Sequence, residues 1–423
     1  MFEMRSANPV ENFVVSSIQI RGVNYSAGVE NEITHLEIYE SLDGLTSGIF
    51  MFTDTAGIAD TLRPMGFEAV DIEFASLVGA QAHKVYKKSF RCTGITRQPS
   101  KTGGYETVMI RFTNNLITMN DYVKRPYVFK KTSISNIITA ILDGLGDEVP
   151  VYDIEQSLYQ RDFVTSITKP FDTIMSLVDY ASTDVNNSCK FKFYEDRDGL
   201  KFKSLGTIRD QDYDFIIRKG ANTGDGKWTS GEGNAITALR VVVKEQSNMH
   251  EISSGIFGAR TYAHSLINKK LTTSDVRRND YIASVGILND TAHMYTSEDV
   301  FPSEVTESEQ PLNSIQLVSH DGFYEKDTQH PLGSTHSVSI MEETYIRSKT
   351  IIVEIPGNTN MTVGEVVYMD LHSVTGENHA SLDASGRWVI QELKHRVELN
   401  QFITTLELVS DSSLNVAVAG SDT

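Results

Sequence analysis

Apolar and polar residues alternate with a period of two along most of the chain, the pattern of strands that bury one face. Near the N-terminus the alternating runs are FVVSSIQIRG (13–22), ITHLEIYES (33–41), GIFMFTD (48–54), FEAVDIEFASL (67–77), SFRCTGITR (89–97) and YETVMIRFT (105–113). Val, Ile, Phe and Thr fill them, with Gly, Asn and Asp between, so six antiparallel strands are expected in a small barrel or sandwich. A second alternating block covers ITALRVVVKE (236–245), KTIIVEI (349–355), EVVYMDL (365–371), RWVIQELKHR (387–396) and NQFITTLELVS (400–410).

The two blocks match in order. Ile33 aligns with Ile236, GIFMFTD with KTIIVEI, Gly66 with Gly364, Phe90 with Trp388, and YETVMIRFT with NQFITTLELVS. Gly66 to Phe90 and Gly364 to Trp388 are both 24 residues. An ordered series of this kind reads as an internal repeat. The copies differ in one spacing: Ile33 to Ile49 is 16 residues, whereas Ile236 to Ile351 is 115. The second copy therefore carries an insertion of roughly a hundred residues, too long for a loop in a compact domain.

Between the blocks the period changes. TSISNIITAILDGLG (132–146) has Ile134, Ile137, Ile138, Ile141 and Leu142 at helical spacing, with a Ser or Thr cap before and glycines after. SITKPFDTIMSLVDYAS (166–182) predicts a second amphipathic helix, with Pro170 in its first turn and Phe171, Ile174, Leu177 and Val178 on one face. CKFKFYEDRDGLKFKSL (189–205) reads as a hairpin turning at Asp198-Gly199.

The expected class is β-rich α+β: two similar antiparallel β-barrels with an α+β module between and inserted into them. The first barrel spans 1–120 and the α+β module 121–233. A discontinuous second barrel is built from 234–246 and 342–411. The insertion 247–341 is expected to pack with the module, and 412–423 form a tail. Within the insertion SEDVFPSEVTESEQPL (297–312) is acidic and reads as an exposed arm, and in the tail NVAVAGSDT (415–423) reads as a flexible end.

At 423 residues two or three domains are expected, and no run approaches the length of a membrane-spanning helix. The start MFEMRSANPVENF lacks the pattern of a cleaved signal. Cys92 and Cys189 stand far apart in unrelated contexts, which fits buried, inert thiols in a cytoplasmically folded protein. A net charge of −18 repels phosphate backbones and argues against sequence-specific nucleic-acid binding.

No chemistry stands out. GANTGDGKWTSGEG (220–233) with Lys227 lacks the spacing of a phosphate-binding loop and reads as a surface loop. DQDYD (210–214) and EDRD (195–198) do not extend into a calcium loop and read as solvated turns. His35, His264, His372 and His379 are scattered without metalloprotease spacing, and SSGIFGA (253–259) is no nucleophile elbow. Paired glycosidase carboxylates leave no fixed spacing, so a glycan-degrading protein stays open on these grounds. No catalytic residue, metal ligand or cofactor is assigned. The positions singled out are the repeat markers Ile33, Gly66, Phe90, Ile236, Gly364 and Trp388.

The chain resembles the baseplate hub proteins of contractile-tailed bacteriophages, relatives of the hub part of type VI secretion spike proteins. The resemblance runs through IYESLDGLTSGIFMFTD (38–54), VKRPYVFKKTSISNII (123–138), KFKFYEDRDGLKF (190–202), ARTYAHSLIN (259–268), MTVGEVVYMDL (361–371) and WVIQELKHRVELNQFITTLELV (388–409). It implies a homotrimer of tube-like barrel pairs, assembled in the host cytoplasm into the virion tail. One side would dock the hexameric tail tube and the other the trimeric central spike, with tape-measure and baseplate wedge proteins as further contacts. It also implies no catalysis and a lumen through which DNA passes, where an acidic wall would lower adhesion. The alternatives are the hub of a bacterial contractile injection machine and a tail-associated carbohydrate-binding or glycan-degrading protein.

Overall fold

The computed structural model describes residues 9–11, 13–20, 23–24, 33–55, 57, 59–60, 66–77, 84–100, 103–146, 149–184, 187–219, 235–244, 258–265, 269–292, 313–319, 332–371, 384–398 and 401–414. The 220–233 run with Lys227, the acidic 297–312 run, the 415–423 tail, His372 and His379 lie outside them. The protein is β-rich, with short helices and one large sheet whose ladders are mostly antiparallel.

The N-terminal strands are β1 (Phe13–Ile20), β2 (Val23–Asn24), β3 (Ile33–Ser41), β4 (Ser47–Asp54), β5 (Ala69–Ser76), β6 (Tyr86–Pro99) and β7 (Glu106–Asn114). Alternation sets their faces. In β5, Val70, Ile72 and Phe74 are buried while Asp71 and Glu73 are half-exposed. They close a first core of Ile38, Phe50, Phe74, Tyr86, Phe90 and Phe112, among others.

A third core is covered by α1 (Asn115–Tyr122), β8 (Val128–Ser133), α2 (Ile134–Asp143), β9 (Tyr152–Ile154), β10 (Gln160–Val164), α3 (Pro170–Val178), β11 (Phe191–Asp196) and β12 (Gly199–Ser204). Helix α4 (Leu205–Arg209) follows β12 and turns Leu205 and Ile208 into the core of the C-terminal strands instead. Ser133 caps α2 by accepting from the Asn136 N–H, and Pro170 opens α3. The hairpin turn falls one residue earlier than the sequence predicts. Asp196 pairs with Gly199, leaving Arg197 and Asp198 at the apex, because Asp196 Oδ1 accepts from both the Asp198 and Gly199 N–H groups. Gly199 is required there for another reason: a Cβ would lie 2.0 Å from the Val151 carbonyl oxygen.

The remaining elements are β13 (Phe215–Lys219), β14 (Ala235–Ala238), β15 (Arg240–Val243), β16 (Gly258–Ser265), β17 (Lys270–Arg277), α5 (Arg278–Val285), β18 (Thr291–Ala292), β19 (Asn313–Ser319), α6 (Leu332–Ile346), β20 (Lys349–Pro356), β21 (Val366–Asp370), β22 (Gly386–Glu398), β23 (Gln401–Ser410) and β24 (Ser412–Ser413). Strands β17, β16 and β19 form a separate sheet beneath α6. Strands β20 to β23 enclose a second core that includes Ile351, Val353, Trp388, Leu393 and Leu408.

Pairing runs β3-β4-β7-β6-β5 through the N-terminal strands and β15-β20-β23-β22-β21 through the C-terminal ones, antiparallel throughout. A bulge interrupts β6 against β7 between Cys92 and Gly94, and another interrupts β22 against β23 between Ile390 and Glu392. The parallel ladders of β13 with β14 and β21 have no counterpart in the alternation pattern.

Candidate assembly site

Strand β22 is long enough to serve two neighbours. Its first residues, Gly386–Val389, pair with β21, while Glu392–Val397 pair with β3, from Glu392 opposite Ser41 to Val397 opposite Leu36. The order β15-β20-β23-β22-β3-β4-β7-β6 is therefore one continuous sheet of eight antiparallel strands. The far end of its C-terminal hairpin enters the first core: Val397 and Phe402 are buried there, and Phe402 lies 5.5 Å from the rings of both Phe74 and His395. Burial drives the pKa of His395 down to about 3, helped by the nearby Arg197, so the ring stays neutral.

The face turned away from the cores carries charges of both signs in contact. Lys394 Nζ sits 2.7 Å from Glu37 Oε1, Lys244 Nζ 2.8 Å from Glu407, and His35 bridges Glu37 and Glu398 at 3.3 and 3.0 Å. Such exposed pairs add little stability individually.

Two margins of this sheet are unpaired among the described residues. Strand β15 pairs only with β20. Strand β6 pairs with β5 as far as Arg91, and from Thr93 to Pro99 only β7 lies beside it. Open edges are sites of strand addition unless something covers them.

Beneath the β22–β3 seam the hairpin β11–β12 inserts a buried polar network. Lys88 Nζ donates to Glu195 Oε1 (3.1 Å), Thr46 Oγ1 (3.1 Å) and the Asp196 carbonyl (2.5 Å), and lies 3.9 Å from Glu40. Glu40 also accepts from Tyr86 Oη and Thr362 Oγ1. Arg197 donates to the Thr359 carbonyl at 2.8 Å. Thr359 and Asn360 in turn bond the backbone beside Ser76 and Lys84. Burial raises the Glu40 pKa and Lys88 opposes it; burial lifts Glu365 to about 7. The expectation of solvated EDRD carboxylates is corrected here: Glu195 and Asp196 are buried because the hairpin is wedged between the third core and the sheet seam, whereas the DQDYD residues 210–214 are exposed.

A second junction gathers the insertion. Glu342 on α6 accepts from the Cys189 and Lys190 N–H groups at 2.7 and 2.8 Å. Arg209 donates to the Val285 and Gly286 carbonyls and stands 3.6 Å from Asp411. Burial pushes the Glu342 carboxyl up to about 7 despite Arg209. Cys92 and Cys189 are buried free thiols, and burial followed by Glu342 raises Cys189 to about 12.

The six repeat markers fall into two groups rather than one site. Ile33 pairs with Phe52 and packs on the first core, where Phe90 is buried opposite Val70, and Gly66 precedes β5 at φ +93°. Trp388 is buried in the second core opposite Val367, and Gly364 takes φ +80° with its N–H on the Ile390 carbonyl. Ile236 lies in β14 opposite Ile217 and packs on the second core, so it is Arg240–Val243 that runs beside β20. Sequence reasoning missed Glu40, Lys88, Glu195 and Arg197. A signal existed for the first two, since Lys88 is in phase with the buried Tyr86 and Phe90, and Glu40 with Leu36 and Ile38.

No protein-family model matches the chain. Over 421 residues it is 75% identical to the probable baseplate hub protein gp334 of Vibrio phage KVP40, a match that covers all of both chains. Its fold is similar to that of the tail protein from Neisseria meningitidis MC58, at a TM-score of 0.57 and 8% identity over 95% of this chain and 97% of that one. It is also similar to the 43 kDa tail protein of prophage MuSo2 from Shewanella oneidensis, at a TM-score of 0.58 and 9% identity over 95% and 100% of the two chains.

Proposed function

The chain belongs to the baseplate hub proteins of phage tails, and from that premise we propose that it is a homotrimeric adaptor joining the hexameric tail tube to the trimeric central spike. Membership makes it a structural component of the virion tail. In this reading three copies close a ring whose lumen passes DNA, tube growth starts on one face, and the spike seats on the other. Tape-measure and wedge proteins are its further neighbours, and assembly takes place in the host cytoplasm.

One observation carries the ring: the β22–β3 seam inside a copy is a template for a seam between copies. Ladder registers support residues 1–120 and the discontinuous 234–246 plus 342–411 as two copies of one barrel, with 121–233 and 247–341 as the parts between and inserted. Gly94 faces Arg111 just after one bulge, as Glu392 faces Glu407 just after the other. Leu36 faces Phe50 as Val241 faces Val353. By these equivalences β15 corresponds to β3, two residues further along than the Ile33–Ile236 alignment implies, and the free end of β6 corresponds to the β22 segment that binds β3. Transferring the seam places Gln98 of one copy opposite Val242 of the next and Pro99 opposite Val241. Head-to-tail contacts of this kind close into rings when the rotation from copy to copy closes.

The sheet face that would line the lumen bears matched charge pairs rather than an excess of acid. Low adhesion to sliding DNA then comes from local neutralisation, with Glu37 held by Lys394 and Glu407 by Lys244. The test is cysteine cross-linking. A chain carrying Gln98→Cys and Val242→Cys should oxidise to a closed species of three 47.1 kDa chains, and each single variant should not. A monomer under all conditions, or equal cross-linking when Gln98→Cys is combined with Thr350→Cys, would overturn the seam.

A further inference from the structure

The ribbon β8–β10 lies apart from the eight-stranded sheet and has two apolar faces but only one core. Phe129 and Phe163, paired across it, pack onto the third core. The next pair, Val128 and Val164, points the other way and is 71% and 49% exposed; Ile167, just beyond, is 68% exposed. Single exposed aliphatics are ordinary, but a cross-strand pair with a third beside it is a patch.

Charge sets this patch apart. Residues 123–131, VKRPYVFKK, contain Lys124, Arg125, Lys130 and Lys131 and no acid, in a chain of net charge −18. All four are exposed, and neither Lys124 nor Lys130 is ion-paired among the described residues. Arg125 places one N–H on the Gly144 carbonyl at 2.9 Å. The nearby acids are engaged: Asp121 with Lys169, and Asp162 with the Lys131 N–H.

The backbone is also poised. Among the described residues strands β8 and β10 pair only with each other, so each keeps one edge unpaired there. The ribbon is held in place at its base by reciprocal Arg125–Thr168 backbone bonds and by the Thr165 N–H on the Tyr127 carbonyl. A pre-ordered strand edge lowers the ordering cost of binding.

We propose that the outer face of β8–β10 is a docking site for an extended acidic segment of a partner protein, one that alternates carboxylates with aliphatic side chains. Its backbone would add to the ribbon edge, its aliphatics cover Val128, Val164 and Ile167, and its carboxylates meet Lys124 and Lys130. Charge complementarity selects an acidic occupant, and the aliphatic triplet selects a peptide over a nucleic acid. The site does not depend on ring closure.

The probe is a fluorescein-labelled peptide of alternating Glu and Val, titrated into the full chain by polarisation. Control peptides alternate Glu with Ser and Lys with Val. The Glu-Val peptide should bind, more weakly as salt rises. Binding should fall at least about tenfold for Lys124→Glu with Lys130→Glu, and for Val128→Ser with Val164→Ser, the range expected when a charged or apolar contact is lost. Equal binding of the Glu-Ser peptide, or variants that bind as the parent does, would overturn the proposal. So would tighter, patch-dependent binding of duplex DNA or phosphatidylglycerol vesicles, which would reassign the surface. A change in native mass caused by Val128→Ser with Val164→Ser would make it a contact between copies and equally refute it. Circular dichroism of each variant separates lost binding from lost fold.

Discussion

Lys88 Nζ and Glu195 Oε1 meet at 3.1 Å across the boundary between the N-terminal sheet and the β11–β12 hairpin, with side chains 9% and 3% exposed. Removing the cation leaves Glu195 and Glu40 buried with hydrogen bonds from Thr46, Tyr86 and Thr362 but without the charge that faces them. Breaking a buried pair from one side costs about 3–5 kcal/mol, whereas replacing both members can be nearly neutral. Lys88→Met should therefore lower the urea midpoint sharply at pH 7, and adding Glu195→Gln should recover part of the loss. A Lys88→Met protein within about 1 kcal/mol of the parent would show that the network contributes little.

The two marker glycines should respond differently to a methyl group. Both take positive φ, which costs an L-residue roughly 1–2 kcal/mol. A Cβ on Gly66 meets nothing within 4 Å, but one on Gly364 lies 2.6 Å from Tyr194 Oη and 3.3 Å from a Leu42 methyl. Gly66→Ala is thus expected to cost about 1 kcal/mol, and Gly364→Ala about 1–3 kcal/mol more from overpacking. Thermal unfolding of the two variants side by side decides it.

Glu342 should make stability fall on the alkaline side. Its folded pKa of about 7 exceeds the ordinary 4.5, so the protonated form is the one the fold prefers. The contribution is fully present below about pH 4.5, erodes as pH rises, and is lost once pH passes about 7. At 1.36 kcal/mol per pKa unit the swing is about 3 kcal/mol. Glu342→Gln should flatten the parent's loss between pH 5 and 8 in denaturant titrations. If both proteins lose stability in parallel, the carboxyl is not the source.

His395 acts at the opposite end of the scale. Its folded pKa of about 3 lies below the ordinary 6.5, so its contribution is complete above about pH 6.5 and is lost as pH falls toward 3. His395→Phe should weaken the acid sensitivity of the first core, read from near-ultraviolet circular dichroism between pH 6.5 and 4. An unchanged acid transition would assign it to other groups.

What the sequence revealed was what repeats locally. The alternation in AVDIEFAS and the helical spacing in ISNIITAILD each report a single element burying one face, and those elements stand where the pattern puts them. Pairing between distant segments has no such local trace. Nothing in ITHLEIYES announces that its free edge is taken by residues 392–397, and the parallel β14–β13–β21 ladders obey no alternation rule. The burial of the hairpin's carboxylates escapes the pattern for a related reason. In FKFYED all six residues are buried, since one face meets the third core and the other the sheet seam, so Glu195 and Asp196 look like solvated turn residues until their partners are known.

The C-terminal hairpin that fills the first core also sets an order of events during synthesis. Phe402 and Val397 complete a core whose other members lie between residues 18 and 112. A ribosome must therefore deliver residues 397–402 before the strands that carry residues 18–112 can complete their core, and contacts this distant in sequence form late. A product that stops short of β22 would leave the β3 edge unpaired, an exposed strand open to aggregation. Closure of the first core thus waits on the C-terminal hairpin, so the fold itself separates chains that carry that hairpin from chains that lack it.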